Sequence, residues 1–593
     1  MESPQYAIDS PPDEAGPRAP DSRDRVSEGA TDGRSAASRD ARRPLLISVL
    51  LVASLALGVL AALTPRYETN DDAGMNAIAA GRCLVDRPDE HLLSSNVLIG
   101  WALKLLYQAA PRIPWYGASL YVTGCLSLAA VCFVCLRHDL CEWTVGLTGA
   151  FLWVAGIPAL TQLQFTRIAF LAGLAGLLLL AGAIRVVGSP LLQWCAVPFL
   201  VAGGLIRFRA LLLVCVVLSP AIAWMVWRAR FQKSARASLL LLGASLSVGM
   251  AAARFNNWYY ESDPAWRDFI QLGALDSEII DFGRVTYNAQ TAPVFASVGW
   301  QPIDLRMLQN WAFLDRERYN IRTVQALLDG SAPNEWQTIK PWRPLFEQLV
   351  SDGELLGLLA LGAACLAILA IDWSARFIPL ACYGVTAVTC TLLYQRLHLV
   401  PRIYCPVTSA CAITVIAFSS GPRSFGNRRA WVESAFGRRA AMVVVAAVIL
   451  WRGLAMWRSN ANFLSFHRSA VEMLTELAPK SNQLFVVWGG DFPYEYVALP
   501  LSRDFIRRDF KTLTLNWTIH FTQSRMDKIG VHDLMSLVRR GGETYFISQK
   551  SDNDLLSAYC RAHYGVKLKY RVAFAHPVLY DSAIYQVTVD GAE

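Results

Sequence analysis

The chain has 593 residues, of which 54% are hydrophobic and only 17% charged. That is too little polar surface to enclose so much apolar material in water, which excludes an ordinary soluble class and makes membrane the default. A net charge of +8 does not point to nucleic acid, because the clustered cations sit in short segments between apolar runs, as membrane topology requires.

Residues 1–43 are rich in Pro, Ser, Asp and Arg and hold few large apolar side chains, so they are predicted to be a disordered tail. The tail is too long and too acidic for the n-region of a secretory signal, so the next apolar run reads as a retained anchor. Residues 44–457 then form the membrane region. Spans are predicted at 44–64, 114–136, 141–160, 165–187, 190–206, 209–227, 237–254, 354–371, 376–394, 403–420 and 440–457. Arg39, Arg42 and Arg43 precede the first span, Arg228, Arg230, Lys233 and Arg236 follow the sixth, and Arg423, Arg428, Arg429, Arg438 and Arg439 follow the tenth. The positive-inside tendency therefore places the N-terminus in the cytoplasm, and the loops 65–113 and 255–353 outside with residues 458–593. A bacterial inner membrane is the expected location.

Residues 458–593 read as a soluble α/β domain. Strand-like runs QLFVVW, TYFIS, RVAFA and AIYQVTV alternate there with helix-like AVEMLTELA and DLLSAYCRAHYG. The chain lacks a glycine-rich phosphate loop, HExxH and GxSxG, and shows no internal repeat. Most of the thirteen cysteines lie in apolar runs, including the CxxC of Cys132 and Cys135 in LSLAAVCFVCL, where packing is the expected role.

Asp71 and Asp72 follow the first span by a few residues, in the loop beginning RYETNDDAGMNAIAAG. A carboxylate at headgroup level is placed to act as general base on a hydroxyl while a lipid-linked donor stays in the bilayer. On residue type alone, a solvated or helix-capping acidic pair fits equally. NVLIGWALKLLY then has apolar residues at helical spacing interrupted by Asn96 and Lys104, an amphipathic helix on the membrane surface, and IPWY opens the second span.

This order of first span, NDD loop, surface helix, IPWY and second span resembles the GT-C superfamily of polytopic glycosyltransferases. It is most similar to uncharacterised bacterial multi-pass proteins with TNDD and NVLIGWALKLLY segments, and extends to QFTRIAF and GWQPIDLRMLQNWAFLD. The resemblance implies an α-helical polytopic membrane fold and a polyprenyl-phosphate sugar donor. It also implies a catalytic carboxylate in the first external loop, here Asp71 or Asp72, with inversion at the sugar as the expected outcome.

Further candidate residues line the external face. Gln164 and Arg167 sit at a span end, where Arg167 either pairs with a lipid phosphate or snorkels to ordinary headgroups. Arg207 and Arg209 form a short external turn against the positive-inside tendency, and Arg402 follows Pro401 beside Tyr404. An arginine fork matches phosphate oxygens and can stabilise a departing lipid phosphate. Glu261 and Asp263 in WYYESDPAWRDF suit sugar binding or an interfacial belt. Asp304 and Trp311 read as parts of a packed surface helix with an Asp-led start. No cofactor is predicted, because two adjacent carboxylates without histidine neighbours make a weak metal signature. The expected partners are a lipid-linked sugar, a glycan or lipid acceptor and the bilayer. A polysaccharide polymerase, a lipid-linked saccharide flippase and an inactive scaffold remain alternatives.

Overall fold

The computed structural model describes residues 29–590 apart from 138–139, 186–189, 313, 332–339, 370–372, 397–398, 420–434, 478–482, 489–491, 503–511, 517, 542–543 and 580. The expected tail up to residue 28 and the basic residues Arg423, Arg428 and Arg429 lie outside the described residues. The protein is an α-helical polytopic membrane protein with a C-terminal β-sheet. The first helix spans Gly29–Ala62 and thus reaches back into the stretch expected to be disordered. Alanine and arginine, strong helix formers, are frequent there and let the membrane helix continue N-terminally.

Among the described residues, nine helices are long and apolar enough to cross a membrane, or ten if the pair Trp342–Ser351 and Gly353–Leu369, bent by 77°, makes one span. The difference from the predicted count of about eleven lies in helix Pro190–Val217. Its backbone is extended at Arg207 (φ −159°, ψ 99°). Gly203 and Leu211, on either side of that break, both pack against Gly173, and the Arg207 guanidinium lies over the Phe165 ring. The two limbs therefore return along the same helix, Phe165–Arg185, and correspond to the two predicted spans 190–206 and 209–227. The second limb runs on into helix Ser219–Ala229.

Near the membrane edge, β1 (Arg66–Tyr67) pairs in parallel with β2 (Gln162–Leu163). The C-terminal sheet comprises β3 (Leu484–Val487), β4 (Thr512–Thr514), β5 (Thr544–Gln549), β6 (Leu568–Phe574) and β7 (Ser582–Val589), in the order β4-β3-β5-β7-β6. β3 is parallel to β4 and β5, whereas β7 is antiparallel to β5 and β6.

The near-continuous apolar runs of β3 and β5 are explained by burial of both faces. Phe485, Val487, Tyr545 and Ile547 point into the core shared with the membrane helices. Val486, Leu513, Phe546 and Val587 point the other way, into a second core with Phe295, Leu305, Leu308 and Leu327 from the long loop. Polar contacts tie the loop to the sheet side as well. Asp315 accepts from the Leu534 amide at 2.7 Å and from the hydroxyls of Tyr559 and Tyr564, and His563 Nε2 lies 2.9 Å from Asp304 Oδ1.

Candidate active site

The chain leaves the first membrane helix under close guidance. The Thr64 amide donates to Asn460 Oδ1 at 2.9 Å, and the Arg66 guanidinium donates to the carbonyl and hydroxyl of Ser459 while lying over the Phe463 ring. After β1, Thr69 is extended and helix Asn70–Ala80 begins, closed by Gly81 in the left-handed conformation (φ 71°). The NDD motif is thus the first turn of a helix, where the exposed amides and the macrodipole favour carboxylates.

Successive helical residues point about 100° apart, so the three motif side chains meet three surroundings. Asn70 Oδ1 accepts the Glu495 amide at 3.1 Å. Asp72 is fully buried: its Oδ1 accepts the Tyr116 hydroxyl and the Phe165 amide, each at 3.0 Å, and Oδ2 accepts the Thr69 hydroxyl at 3.3 Å. Burial pushes the Asp72 carboxyl up to about 8, against the lowering effect of the Tyr116 and Phe165 bonds, and the nearby Asp71 and Glu68 charges add to the rise. Asp71, by contrast, is 38% exposed at its side chain and lies 3.6 Å from Arg402 Nη1.

Arg207 completes the cluster. Its electrostatic neighbours are Arg402, Arg209, Asp71 and Asp72, so the structure assembles these five predicted residues from separate chain segments. The break that brings Arg207 here is held by the surface helix Val97–Ala109: the Asn96 amide donates to the Leu205 carbonyl at 3.0 Å. One accessible carboxylate faces guanidinium forks, and a second, buried carboxyl anchors the helix that carries it.

The remaining predicted residues are placed differently. Asn96 caps Val97–Ala109 by accepting the Leu98 amide, and its Nδ2 donates to the Ala252 carbonyl, so both its functional ends are occupied. Gln164 accepts the Arg167 amide at 2.8 Å and adjoins Phe165, the amide partner of Asp72. Arg167 neither meets lipid phosphate nor snorkels. It is 5% exposed, with its guanidinium 2.9 Å from Glu354 and 3.4 Å from Glu68, and Arg452 lies 3.8 Å from the same Glu354. Buried carboxylates satisfy it, which is why it has no need to reach the headgroups.

Tyr404 is buried and donates to Asp352 Oδ2 at 2.5 Å. Glu261 and Asp263 are exposed, and Asp263 caps helix Pro264–Ile280 by accepting the Ala265 amide. Asp304 does lead its helix, Pro302–Gln309, accepting the Gln301 amide at 2.6 Å, whereas Trp311 lies beyond that helix's end. His398, expected beside Arg402, is outside the described residues.

Asp89, Glu90 and His91 hold ligand-type atoms within 4.8 Å of one another. Each is already engaged: Glu90 with Lys104 and the Tyr259 hydroxyl, and His91 with Asp89. They form an ion-paired cluster that also stacks His91 on Trp266 at 4.2 Å. Glu68, Tyr116, Glu354 and Arg452 were not singled out by the sequence. Glu354 had a signal, being a lone carboxylate at the start of an apolar run, the kind of group that takes a partner within the membrane.

No family model matches the chain, and no curated protein matches it. Two solved structures are similar to it. One is ArnT from Cupriavidus metallidurans in the apo state, at 11% identity and a TM-score of 0.35, covering 91% of this chain and 97% of that one. The other is the same protein bound to undecaprenyl phosphate, at 11% identity and a TM-score of 0.34, covering 92% and 98%.

Proposed function

We propose that the protein is a GT-C-type membrane glycosyltransferase that moves a sugar from a polyprenyl-phosphate donor to a cell-envelope acceptor on the external face of a bacterial inner membrane. The observation that carries this reading is the accessible Asp71 carboxylate facing Arg402, with Arg207 and Arg209 in the same electrostatic field. Asp71 is the base and Asp72 the positioning residue. This division follows from exposure, since only Asp71 is open to a substrate while Asp72 is spent on three hydrogen bonds.

In the proposed step the donor phosphate engages Arg402 and Arg207, drawing Arg402 from Asp71 and freeing the carboxylate. Asp71 takes the proton of an acceptor hydroxyl, and the oxygen forms a bond to the anomeric carbon from the face opposite the phosphate. The bond from that carbon to the phosphate oxygen breaks, its electron pair leaves on polyprenyl phosphate against the arginine charge, and the anomeric configuration inverts. The topology that serves this step puts the loops 65–113 and 255–353 and residues 458–593 outside, as the loop charges suggest.

The test is transfer from a radiolabelled polyprenyl-phosphate sugar in membrane vesicles holding equal amounts of the wild-type protein and Asp71→Asn. A lost general base should lower turnover by about 10²–10⁴-fold. Normal turnover in Asp71→Asn would remove Asp71 from the chemistry. A ladder of products in place of a single added sugar would identify a polymerase instead.

A further inference from the structure

A second cavity, of about 810 Å³, lies between helix Pro264–Ile280, the chain at 311–322 and helix Ile519–Lys528. This is within the size range of sites for small organic ligands. Its lining joins the aromatic groups Phe269, Trp311 and His520 to the carboxyl of Asp276 and to Arg316 and Arg322.

Two features are costly unless something binds. Asp276 is only 4% exposed, yet its Oδ1 has no hydrogen-bond partner, a state that costs about 1–3 kcal/mol. Burial also pushes this carboxyl up to about 7, so near neutral pH it can act as acceptor or donor.

The second feature is Trp311, which has a positive φ of 59°. It follows Asn310, the C-cap of helix Pro302–Gln309. The Trp311 amide bonds the Leu308 carbonyl and the Ala312 amide bonds the Met307 carbonyl, the paired pattern in which this position is ordinarily glycine. A bulky side chain there is a backbone outlier, and its retention argues that the ring is needed. Around it, Arg316 and Arg322 are exposed and enter no ion pair among the described residues.

We infer that this cleft binds an oligosaccharide, with sugar faces stacked on Trp311 and on the Phe269–His520 pair and a hydroxyl hydrogen-bonded to Asp276. Aromatic rings complement the C–H faces of a pyranose, and a hydroxyl satisfies the orphaned carboxyl oxygen. An acyl chain would fill the apolar wall but leave Asp276 buried and unpaired. The inference deepens the proposed transfer by giving the acceptor glycan a holding site apart from the acidic cluster, and rests on that reading only for the word acceptor.

The test uses the full chain in nanodiscs on a printed array of microbial oligosaccharides, without donor. Trp311→Gly places the usual residue at a left-handed position, and Asp276→Leu removes an unsatisfied buried carboxyl, so both variants should melt no lower than wild type. The expected result is that wild type retains particular glycans, both variants lose at least about tenfold in retention, and Asp71→Asn retains them as wild type does. Three results would overturn the inference: no retained glycan with wild type, unchanged retention in both cleft variants, or tryptophan quenching by palmitate that Asp276→Leu strengthens while glycans have no effect. Because binding is read without turnover, a blank array leaves the transfer reading standing. Glycan binding with no transfer does the reverse.

Discussion

Replacing Asp72 by asparagine should remove a pH dependence of stability without removing activity. The sign follows from proton counting. The folded protein holds the Asp72 proton up to about pH 8, whereas an unburied aspartate loses it near 3.8, so between those values the folded state binds more protons than the unfolded state. Stability from this group is therefore greatest in acid, falls as pH rises through the window, and levels off above about 8. At about 1.4 kcal/mol per unit, with saturation near the folded value, the fall between about pH 6 and pH 8 is on the order of 2 kcal/mol. An asparagine side chain at this position cannot ionise. Its carbonyl oxygen can still accept from Tyr116 and Phe165, and its amide can donate to the Thr69 hydroxyl, so the anchor survives. The assay is tryptophan-monitored melting of wild type and Asp72→Asn in nanodiscs across that range, with lipid-linked transfer measured on the same samples. Glu495 and Asp276, both raised to about 7 by burial, contribute in the same direction to both proteins, so the difference between the curves is the observable. Parallel curves would refute the buried-proton account. A loss of transfer in Asp72→Asn as deep as in Asp71→Asn would refute the division of roles.

Arg402→Lys keeps a positive charge opposite Asp71 but loses the planar fork, so the donor KM should rise about tenfold or more while transfer at saturating donor changes less. An unchanged donor KM in initial-rate measurements would place the phosphate elsewhere. Glu354→Gln leaves two buried guanidiniums, those of Arg167 and Arg452, without their shared carboxylate and should cost about 3–5 kcal/mol, read as a lower melting temperature and poor recovery from detergent. Combining it with Arg167→Met should restore part of that loss, and a purely additive double variant would show that the two groups do not act as a pair.

Local patterns were the legible part of this fold. The amphipathic helix at 97–109, the Asp-led start at 302, the α/β alternation after residue 484 and the acidic turn after the first span all follow from spacing and end signals within one element. Partnership across the chain was not legible. Arg167 finds Glu354 at a separation of 187 residues, and nothing near either residue distinguishes that pairing from a lipid contact. The same limit hid the difference between Asp71 and Asp72. They are neighbours with identical side chains, and only the packing of Tyr116 and Phe165 against one side of the helix makes one buried and the other open. β4, at Thr512–Thr514, is too short to raise a periodic signal and exists through pairing with β3.

The position of Asp71 depends on parts of the chain that a modular reading would treat as an appendage. Arg66 is held by Ser459 on the long helix Ala435–Leu477, and Asn70, the residue before Asp71, accepts the amide of Glu495, which lies beyond β3. Gly117, at the start of the second membrane helix, lies so close to the Pro500 carbonyl that a Cβ would sit 2.0 Å from that oxygen. One face of the sheet also shares its core with the membrane helices. An external module serving only to bind an envelope partner would not need its backbone hydrogen-bonded to the acidic motif. The same contacts are what a transferase requires, because a carboxylate displaced by about 1 Å from its acceptor loses much of its effect. The C-terminal sheet is therefore best understood as part of the scaffold that aims Asp71 between the arginines, with the glycan cleft on its outer side bringing an acceptor to the same assembly.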